Sequence, residues 1–290
     1  MIKSLLTLNN GHASIEDIKS WLRERNQRVD VRIDPIPFSD MNGWRMAPDH
    51  SLHHETGKFF SIEGIRVKTD YPEPKMWEQP IINQPEIGYL GILAKRFDGV
   101  LHFLMQAKIE PGNVNNVQIS PTLQATKSNY TRVHGGRYST YLDYFHHAKS
   151  GQDILDQLQS EQGSRFLRKR NRNMIVIVQD DVPVYEDFCW MTLGQIKEMM
   201  QHDNCVNMDT RTVVAGIDFA EHLSCHDDLS ALSGFGREML NSSATQNGFK
   251  SMREIVKVPI NWNISIFVKR INMLVEHAFF FQFFNFIKDR

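Results

Sequence analysis

The stretch IGYLGILAKRFDGVLHFLMQAKI, residues 87–109, decides the fold of the first part of this chain. Two apolar runs flank Asp98-Gly99, and an Asp-Gly pair in that position is a strong signal for a β-hairpin with a two-residue turn. Successive side chains of a strand point to opposite faces, so the second arm places Gln106, Lys108 and Glu110 on one face. The sequence therefore predicts an antiparallel hairpin whose second arm ends in polar and ionisable side chains.

A polar stretch, LMQAKIEPGNVNNVQISPTLQATKSNYTRVHGG, overlaps the end of this hairpin at residues 104–136. Polar side chains this dense between apolar runs are costly to bury unless they bind something. Lysine, glutamate, tyrosine and histidine can transfer protons near neutral pH, and glutamine and asparagine bind hydroxyl groups and base edges. The stretch therefore predicts one wall of a polar ligand pocket.

The remaining segments predict a mixture of helices and strands. A serine N-cap and apolar residues at helical spacing predict a helix over residues 14–28, and a Thr192–Gln195 capping box predicts a helix that runs to Gln201. The other predictions are helices over residues 138–148 and 153–162, strands over 29–38, 59–67 and 174–179, and a stiff, proline-rich loop around Trp77. This mixed order, without strict alternation of strand and helix, predicts an α+β fold.

Composition limits the possible classes of function. The chain has 290 residues and a formal net charge of −1, so no whole-protein field attracts it to nucleic acid or to an anionic membrane. It contains no run of about 18 apolar residues, so no membrane span is predicted. The three cysteines lack metal-type spacing, and their odd number favours a reducing compartment, so a cytoplasmic location is expected.

Two groups of residues have both an ordinary and a functional interpretation. His50, His53 and His54 have the spacing of metal ligands, but solvent-facing or hydrogen-bonded histidines are the commoner outcome, and no metal site is expected. The basic run RFLRKRNR, residues 165–172, is either a solvated helix end or a clamp for a diphosphate, because guanidinium groups bind phosphate oxygens in pairs.

Five blocks of sequence carry a resemblance to a known family. They read WEQPIINQPEIGYLGIL (77–93), LMQAKIEPGN (104–113), SPTLQATKSNYTRVHGG (120–136), LQSEQGSRFLRKRNRNM (158–174) and NMDTR (207–211). In this order they resemble the sugar-nucleotide 2,3-dehydratases of deoxysugar biosynthesis, and the likeness runs from Ser14 to Arg211. The resemblance implies an enzyme that acts on dTDP-4-keto-6-deoxyglucose and removes its C2 hydroxyl.

The same resemblance implies a Nudix-like mixed sheet flanked by helices, duplicated into two related halves in a dimeric protein. SMREI at residues 251–255 echoes SIEDI at residues 14–18, as a duplication would produce. We therefore expect a complete first unit over residues 1–215, a polar linker over 216–250 and the start of a second repeat over 251–290. The phenylalanine-rich end, HAFFFQFFNFIKDR, does not resemble the second half of the family.

The Nudix likeness also makes a prediction about metals. A Nudix hydrolase presents a helix with the pattern R-E-x-x-E-E-x-G, whose carboxylates hold magnesium. Aligned on Gly163, this chain keeps only Glu161 of the three glutamates. A hard cation needs several oxygen ligands, so this alignment favours elimination over diphosphate hydrolysis. The alternatives are a magnesium-dependent Nudix-type hydrolase and a non-catalytic protein that binds a sugar nucleotide.

Elimination from a 4-keto sugar defines what the site must supply. The C3 hydrogen is acidic because it lies α to the C4 carbonyl, so a base removes it while an acid assists departure of the C2 hydroxyl. The reaction needs no redox cofactor. The candidates for proton transfer are Lys108, Glu110, Tyr130 and His134. The candidates for contacts with the sugar, base and diphosphate of a dTDP-sugar are Trp77, Gln79, Gln106, Gln124, Asn129, Arg170 and Arg172.

Overall fold

A computed structural model describes residues 1–9, 12–126, 139–148 and 153–218 of the chain. The helices in this part are α1 (Ile2–Leu6), α2 (Ile15–Gln27), α3 (Leu142–His146), α4 (Leu193–Met199) and α5 (Met208–Ala215). The strands are β1 (Trp44–Met46), β2 (Leu52–His54), β3 (Ser61–Thr69), β4 (Lys75–Asn83), β5 (Gly88–Phe97), β6 (Val100–Ile109), β7 (Val117–Ser120), β8 (Leu123–Ala125), β9 (Asp153–Ser160), β10 (Arg170–Ile177) and β11 (Phe188–Thr192). These sheets and helices confirm the predicted α+β class.

Tertiary contacts divide the chain into two units. Unit 1 comprises the described residues of Met1–Arg28, of Leu93–Ser120 and from Ile177 onward. Unit 2 comprises Val29–Ile92 and the described residues of Pro121–Val176. The boundary passes through strand β5, which contributes to both units. The predicted linker and second repeat lie almost wholly outside the described residues, so these domain limits stay predictions.

The predicted hairpin is confirmed and supplies the middle of the sheet in unit 1. Strands β5 and β6 pair in antiparallel fashion up to Phe97 opposite Val100. The turn residues Asp98 and Gly99 have φ values of 49° and 76°, the positive pair that a tight hairpin turn of this kind needs. Strand β11 pairs with the other edge of β6, and β7 pairs with the last residues of β6. Strand β6 is therefore held on both edges where its polar residues begin.

Local capping sets the start of two helices in unit 1. Ser14 and Asp17 form a capping box at α2, and Thr192 and Gln195 form another at α4. The buried amide of Gln195 also donates to the carbonyl oxygens of residues 8 and 13 at 2.8 Å each. Both predicted helices are confirmed, and the second ends at Met199.

Unit 2 contains two groups of paired strands. Strands β1, β2, β3 and β4 form one sheet in that order. In the other group, β8 and β10 pair with β5, and β9 pairs with β10. Helix α3 packs against β5 so closely that a Cβ atom at Gly91 would lie 2.4 Å from Cε1 of Phe145. Glycine at position 91 therefore allows the aromatic ring to lie directly on the strand.

The predicted helix over residues 153–162 is wrong, because residues 153–160 form strand β9. Leu155 and Leu158 are three residues apart, which imitates a helical face, but the segment pairs with β10, with Gln159 opposite Asn171. Hydrogen bonding to a distant neighbour overrides local propensity here. The alignment of residues 156–163 with a Nudix helix is therefore also wrong, and the Nudix-like topology stays a prediction.

Other segments with prolines or basic residues also differ from prediction. Residues 29–38 form no strand, because Ile33 and Ile36 are each 57% exposed and two prolines lack the N–H group that a ladder needs. The predicted loop around Trp77 is instead the edge strand β4, which tolerates Pro80 opposite Gly64. The basic run is not a helix end, because β10 begins at Arg170.

Three further predictions are confirmed in part. The strand expected over residues 59–67 is β3, and the strand expected over 174–179 is the second half of a longer β10. The helix expected over 138–148 is reduced to α3, and Tyr138 lies outside the described residues.

None of the helices in the described part of the chain is long and apolar enough to span a membrane.

Candidate functional site

An ion pair occupies the polar end of β6 in unit 1. Lys108 Nζ lies 3.6 Å from Glu110 Oε1, and the two side chains are 26% and 31% exposed. Burial lowers the pKa of Lys108, while the negative charges of Glu110 and Asp209 oppose this shift. The period-two pattern predicted that these two side chains would be neighbours, and the structure confirms that they are. The pair is partly open to solvent and can exchange protons with a ligand.

The strands beside this pair are fixed by buried hydrogen bonds. Lys108 lies opposite Gln118, and Gln106 lies opposite Ser120, on the paired strand β7. The amide of Asn207 donates to Ser120 Oγ at 3.0 Å, and its Oδ1 accepts from the Thr210 backbone N–H at the start of α5. The block NMDTR thus holds β7, and Asp209 adds a negative charge near Lys108. This block was predicted only as part of the family resemblance, with no role in the site.

Lys197, a second lysine of unit 1, was not among the residues predicted from sequence. Lys197 on α4 is only 4% exposed, and burial together with the charge of Arg211 lowers its pKa to about 8. Arg211 donates to the carbonyl oxygens of Val206 and Met200 at 3.2 and 3.0 Å. A lysine within a short helix gives no sequence signal of burial, because burial depends on the elements packed around it.

Trp77 and Gln79 lie together on the edge strand β4 of unit 2. The indole N–H of Trp77 donates to Gln79 Oε1 at 3.0 Å, and Gln79 Nε2 donates to the Ser164 carbonyl at 2.8 Å. Trp77 is 44% exposed. Its ring is therefore held in a fixed orientation with part of its surface available for stacking.

The two candidate arginines of unit 2 differ in their surroundings. Arg172 donates to Asp156 Oδ1 at 2.7 Å and to Oδ2 at 2.5 Å, and to the Tyr89 hydroxyl at 3.5 Å. The hydrogen bonds to Asp156 raise the pKa of Arg172 above its ordinary value. Arg170 is exposed at the start of β10. Two-point binding of a phosphate is thus open to Arg170, whereas Asp156 already occupies the fork of Arg172.

Lys169 is a buried cation next to these arginines. It is 4% exposed, and its Nζ donates to the backbone carbonyl of Glu86. Burial lowers its pKa, and the negative charges of Glu86 and Glu161 oppose that shift. Within the basic run, sequence reasoning singled out the arginines and missed this lysine. The burial of Lys169 depends on the pairing of β9 with β10 and on the segment around Glu86, and neither is evident from the sequence.

The structure places the described sequence candidates in both units. Gln106, Lys108 and Glu110 lie at the end of β6 in unit 1. The remaining described candidates, Trp77, Gln79, Gln124, Arg170 and Arg172, belong to unit 2. Asn129, Tyr130 and His134 lie outside the described residues.

The histidine group at residues 50–54 has ordinary partners in unit 2. His53 Nε2 lies 2.8 Å from Ser51 Oγ, and His54 Nδ1 lies 2.8 Å from Thr56 Oγ1. Across residues 1–9, 12–126, 139–148 and 153–218, no three histidine, cysteine, aspartate or glutamate side chains are grouped as metal ligands would be.

Comparisons with known proteins give the chain close relatives. The family model described as NDP-hexose 2,3-dehydratase matches residues 15–217. A dTDP-4-dehydro-6-deoxy-alpha-D-glucopyranose 2,3-dehydratase of Saccharopolyspora spinosa is 51% identical over 219 residues, which cover 75% of this chain and 45% of the relative. The protein of the same description from Amycolatopsis orientalis is 46% identical over 243 residues, 81% of this chain and 52% of the relative. The chain spans about half the length of these relatives.

One solved structure, the crystal structure of an ADP compounds hydrolase, aligns with a TM-score of 0.34 and 10% identity. The alignment covers 53% of this chain and 82% of that chain.

Proposed function

The chain belongs to the NDP-hexose 2,3-dehydratase family, and from that membership we propose that it is a carbon–oxygen lyase acting on dTDP-4-keto-6-deoxyglucose. The proposed reaction removes the C2 hydroxyl and gives a 3,4-diketo-2,6-dideoxy sugar nucleotide. The observation that carries the proposal is the half-buried Lys108–Glu110 pair on β6, because it supplies an acid and a base side by side.

The proposed steps use both members of this pair. The Glu110 carboxylate removes the C3 proton, and the electrons of the broken C3–H bond pass to the C4 oxygen, which gives an enolate. The enolate electrons then form the C2–C3 double bond as the C2–O bond breaks and the C4 carbonyl is restored. The Lys108 ammonium protonates the departing oxygen, so water leaves. Burial lowers the pKa of Lys108, which makes its ammonium a stronger acid. A proton then returns from Glu110 to Lys108 across the 3.6 Å that separate them. C2 gains a proton while the C3 hydroxyl of the enol loses its proton to solvent, and this exchange converts the enol into the diketone.

Other candidates have supporting roles in this proposal. Gln106 lies two residues before Lys108 on the same face of β6, where its amide can donate to the enolate oxygen. Tyr130 and His134 stay candidates for the proton donor to C2. Trp77, whose exposed ring is fixed by Gln79, stays a candidate for stacking on a base, and the exposed Arg170 stays a candidate for binding a diphosphate. Gln124, Asn129 and Arg172 stay candidates for binding the sugar nucleotide, and for Arg172 this role requires that a phosphate displace Asp156 from its guanidinium fork.

The assembly and location are proposed on separate grounds. Cys189 and Cys205 are free thiols, which supports a reducing, cytoplasmic environment. The resemblance to a family of dimeric proteins supports a homodimer. It also supports a first repeat over residues 1–215, a linker over 216–250 and the start of a second repeat over 251–290. Light scattering on the full chain tests the dimer.

Mass spectrometry of the sugar nucleotide tests the proposed function directly. The full chain is incubated with dTDP-4-keto-6-deoxyglucose, and the expected result is a product lighter by one water molecule. Binding of the substrate without water loss supports the alternative of a non-catalytic binding protein. Release of a nucleoside monophosphate supports a Nudix-type hydrolase.

Chelation of metals is expected to leave the dehydration rate unchanged. The acid and the base of the proposed elimination are protein side chains, so no step requires a bound cation. The measurement is the rate of water loss before and after dialysis against EDTA. A loss of rate that magnesium restores would contradict this mechanism, because it would show that the elimination needs a bound cation.

A further inference from the structure

Gln118 is a buried amide directly beside the Lys108–Glu110 pair of unit 1. It lies opposite Lys108 where β6 and β7 pair, and it is only 8% exposed. Residues directly opposite in an antiparallel pair point to the same face, with Cβ atoms about 4.5–5.5 Å apart. The side chain of Gln118 therefore lies on the face of the sheet that carries Lys108 and Glu110, and it is more enclosed than either of them.

The side-chain amide of Gln118 has no hydrogen-bond partner in the described part of the chain. The Ser120 hydroxyl donates to its backbone carbonyl at 3.3 Å, but no described residue bonds to the amide itself. Its polar neighbours are paired with one another, since Ser120 Oγ accepts from Asn207 and Lys108 lies against Glu110. Burying an amide without a partner costs stability. Gln118 therefore needs a partner that the described residues do not supply.

The backbone on both sides of Gln118 is anchored. Asn26, in the last turn of α2, accepts from the Val117 N–H at 3.1 Å and donates to the Val117 carbonyl at 3.2 Å. The Ile119 N–H donates to the Cys205 carbonyl at 2.8 Å. Gln118 thus extends from a fixed length of strand, which places its amide before a ligand arrives.

The charges around Lys108 favour a neutral side chain at position 118. Burial lowers the pKa of Lys108, and the negative charges of Glu110 and Asp209 oppose that shift. A further carboxylate opposite Lys108 would raise its pKa and make its ammonium a weaker acid. An amide oxygen accepts a hydrogen bond without adding charge. Glutamine therefore offers a ligand an acceptor beside Lys108 and leaves the lysine acidic.

We propose that Gln118 binds the departing C2 hydroxyl of the substrate and orients it towards Lys108. The inference rests on the proposed function, in which Lys108 protonates that oxygen. Gln118 Oε1 accepts from the hydroxyl hydrogen, which leaves a lone pair of the oxygen for the ammonium of Lys108. When the C2–O bond breaks, the oxygen leaves as water with one hydrogen still bonded to Oε1. Gln118 is thus a binding residue that selects sugars with a hydroxyl group at C2.

Two stable sugar nucleotides that differ only at C2 test this role. Isothermal titration of the full chain measures the Kd of dTDP-glucose and of dTDP-2-deoxyglucose. The wild type is expected to bind dTDP-glucose about tenfold more tightly, because the deoxy sugar leaves the buried amide without a partner. In Gln118→Met, which keeps the length of the side chain, the two Kd values should become equal. Gln27→Leu is the matched control and should keep the difference, because Gln27 is an exposed amide of the same unit.

A melting curve without ligand separates binding from a merely structural role. Gln118→Met removes a buried amide that lacks a partner, so its Tm should stay the same or rise. A structural amide would instead lower the Tm and weaken both ligands alike, and that result overturns the inference. If methionine does not fit and the variant fails to fold, the titration of Gln118→Ala decides. A folded variant that keeps the full preference for dTDP-glucose also overturns the inference.

Failure of this inference and failure of the proposed function give different results. A wild type that dehydrates the keto sugar but binds both nucleotides equally refutes the role of Gln118 alone. A wild type that neither dehydrates the keto sugar nor binds dTDP-glucose refutes the proposed function and the role of Gln118 with it. A preference for dTDP-glucose that Gln118→Met abolishes, in a wild type without dehydration, supports Gln118 as a binding residue and refutes the lyase.

Discussion

Replacing Lys108 with methionine is expected to lower the turnover number at least about tenfold, which is near the lower end of general acid–base contributions. Methionine keeps most of the length and apolar stem of the side chain but cannot protonate the departing C2 oxygen. Glu110→Gln is expected to have a similar effect, because the amide cannot accept the C3 proton. The measurement is kcat from the rate of water loss, followed by mass spectrometry.

The two substitutions should be much less than additive. Acid and base act as a unit in the proposed mechanism, so the double variant should be little slower than either single variant. Lys19→Met is the matched control, because Lys19 also pairs with a glutamate, Glu16, at 3.0 Å, but in a surface helix. Near wild-type kcat in both single variants, with intact folding, removes the pair from the active site.

The pH profile gives an independent check on Lys108. An ammonium that acts as the acid must stay protonated, so kcat should fall as the pH rises through the pKa of Lys108. Burial places that pKa below the ordinary lysine value, so the fall begins at lower pH than for an exposed lysine. The alkaline limb should vanish in Lys108→Met, and its persistence there would assign the limb to another group.

Replacing Lys197 with methionine is expected to raise the free energy of unfolding by about 2 kcal/mol at pH 7. Lys197 is 4% exposed, and its pKa falls from the ordinary 10.5 to about 8 through burial and the charge of Arg211. At pH 7 the folded protein therefore holds a charge that is more stable in the unfolded chain. Methionine fills similar space without the charge, and Tm should rise by several degrees.

The gain from Lys197→Met depends on pH with a definite sign. The cost of the buried ammonium is fully present below about pH 8, because the lysine is then charged in both the folded and unfolded states. As the pH rises from about 8 towards 10.5, the folded state loses its proton first and wild-type stability recovers. The Tm difference between variant and wild type should therefore shrink over this interval. A difference that is constant with pH, or a destabilised variant at pH 7, contradicts burial of a charged lysine.

The predictions from sequence were correct for features that depend on a few adjacent residues. The Asp98-Gly99 turn formed because the backbone angles it needs are met by those two residues alone. The capping boxes at Ser14 and Thr192 formed because their hydrogen bonds close within four residues. The period of a strand likewise placed Lys108 beside Glu110. The family followed from blocks of sequence, which the matched family model confirms.

Features that depend on distant partners were decided only by the tertiary structure. Residues 153–160 carry apolar residues at helical spacing, yet they form a strand because β10 offers a ladder of hydrogen bonds that no local pattern reveals. Lys169, in the turn that joins these two strands, is buried as well. Lys197 became a buried cation because other elements of the fold pack against α4. Local backbone geometry is thus set by the sequence itself, whereas burial, strand pairing and the pKa values that follow from them require the neighbours that only the folded chain supplies.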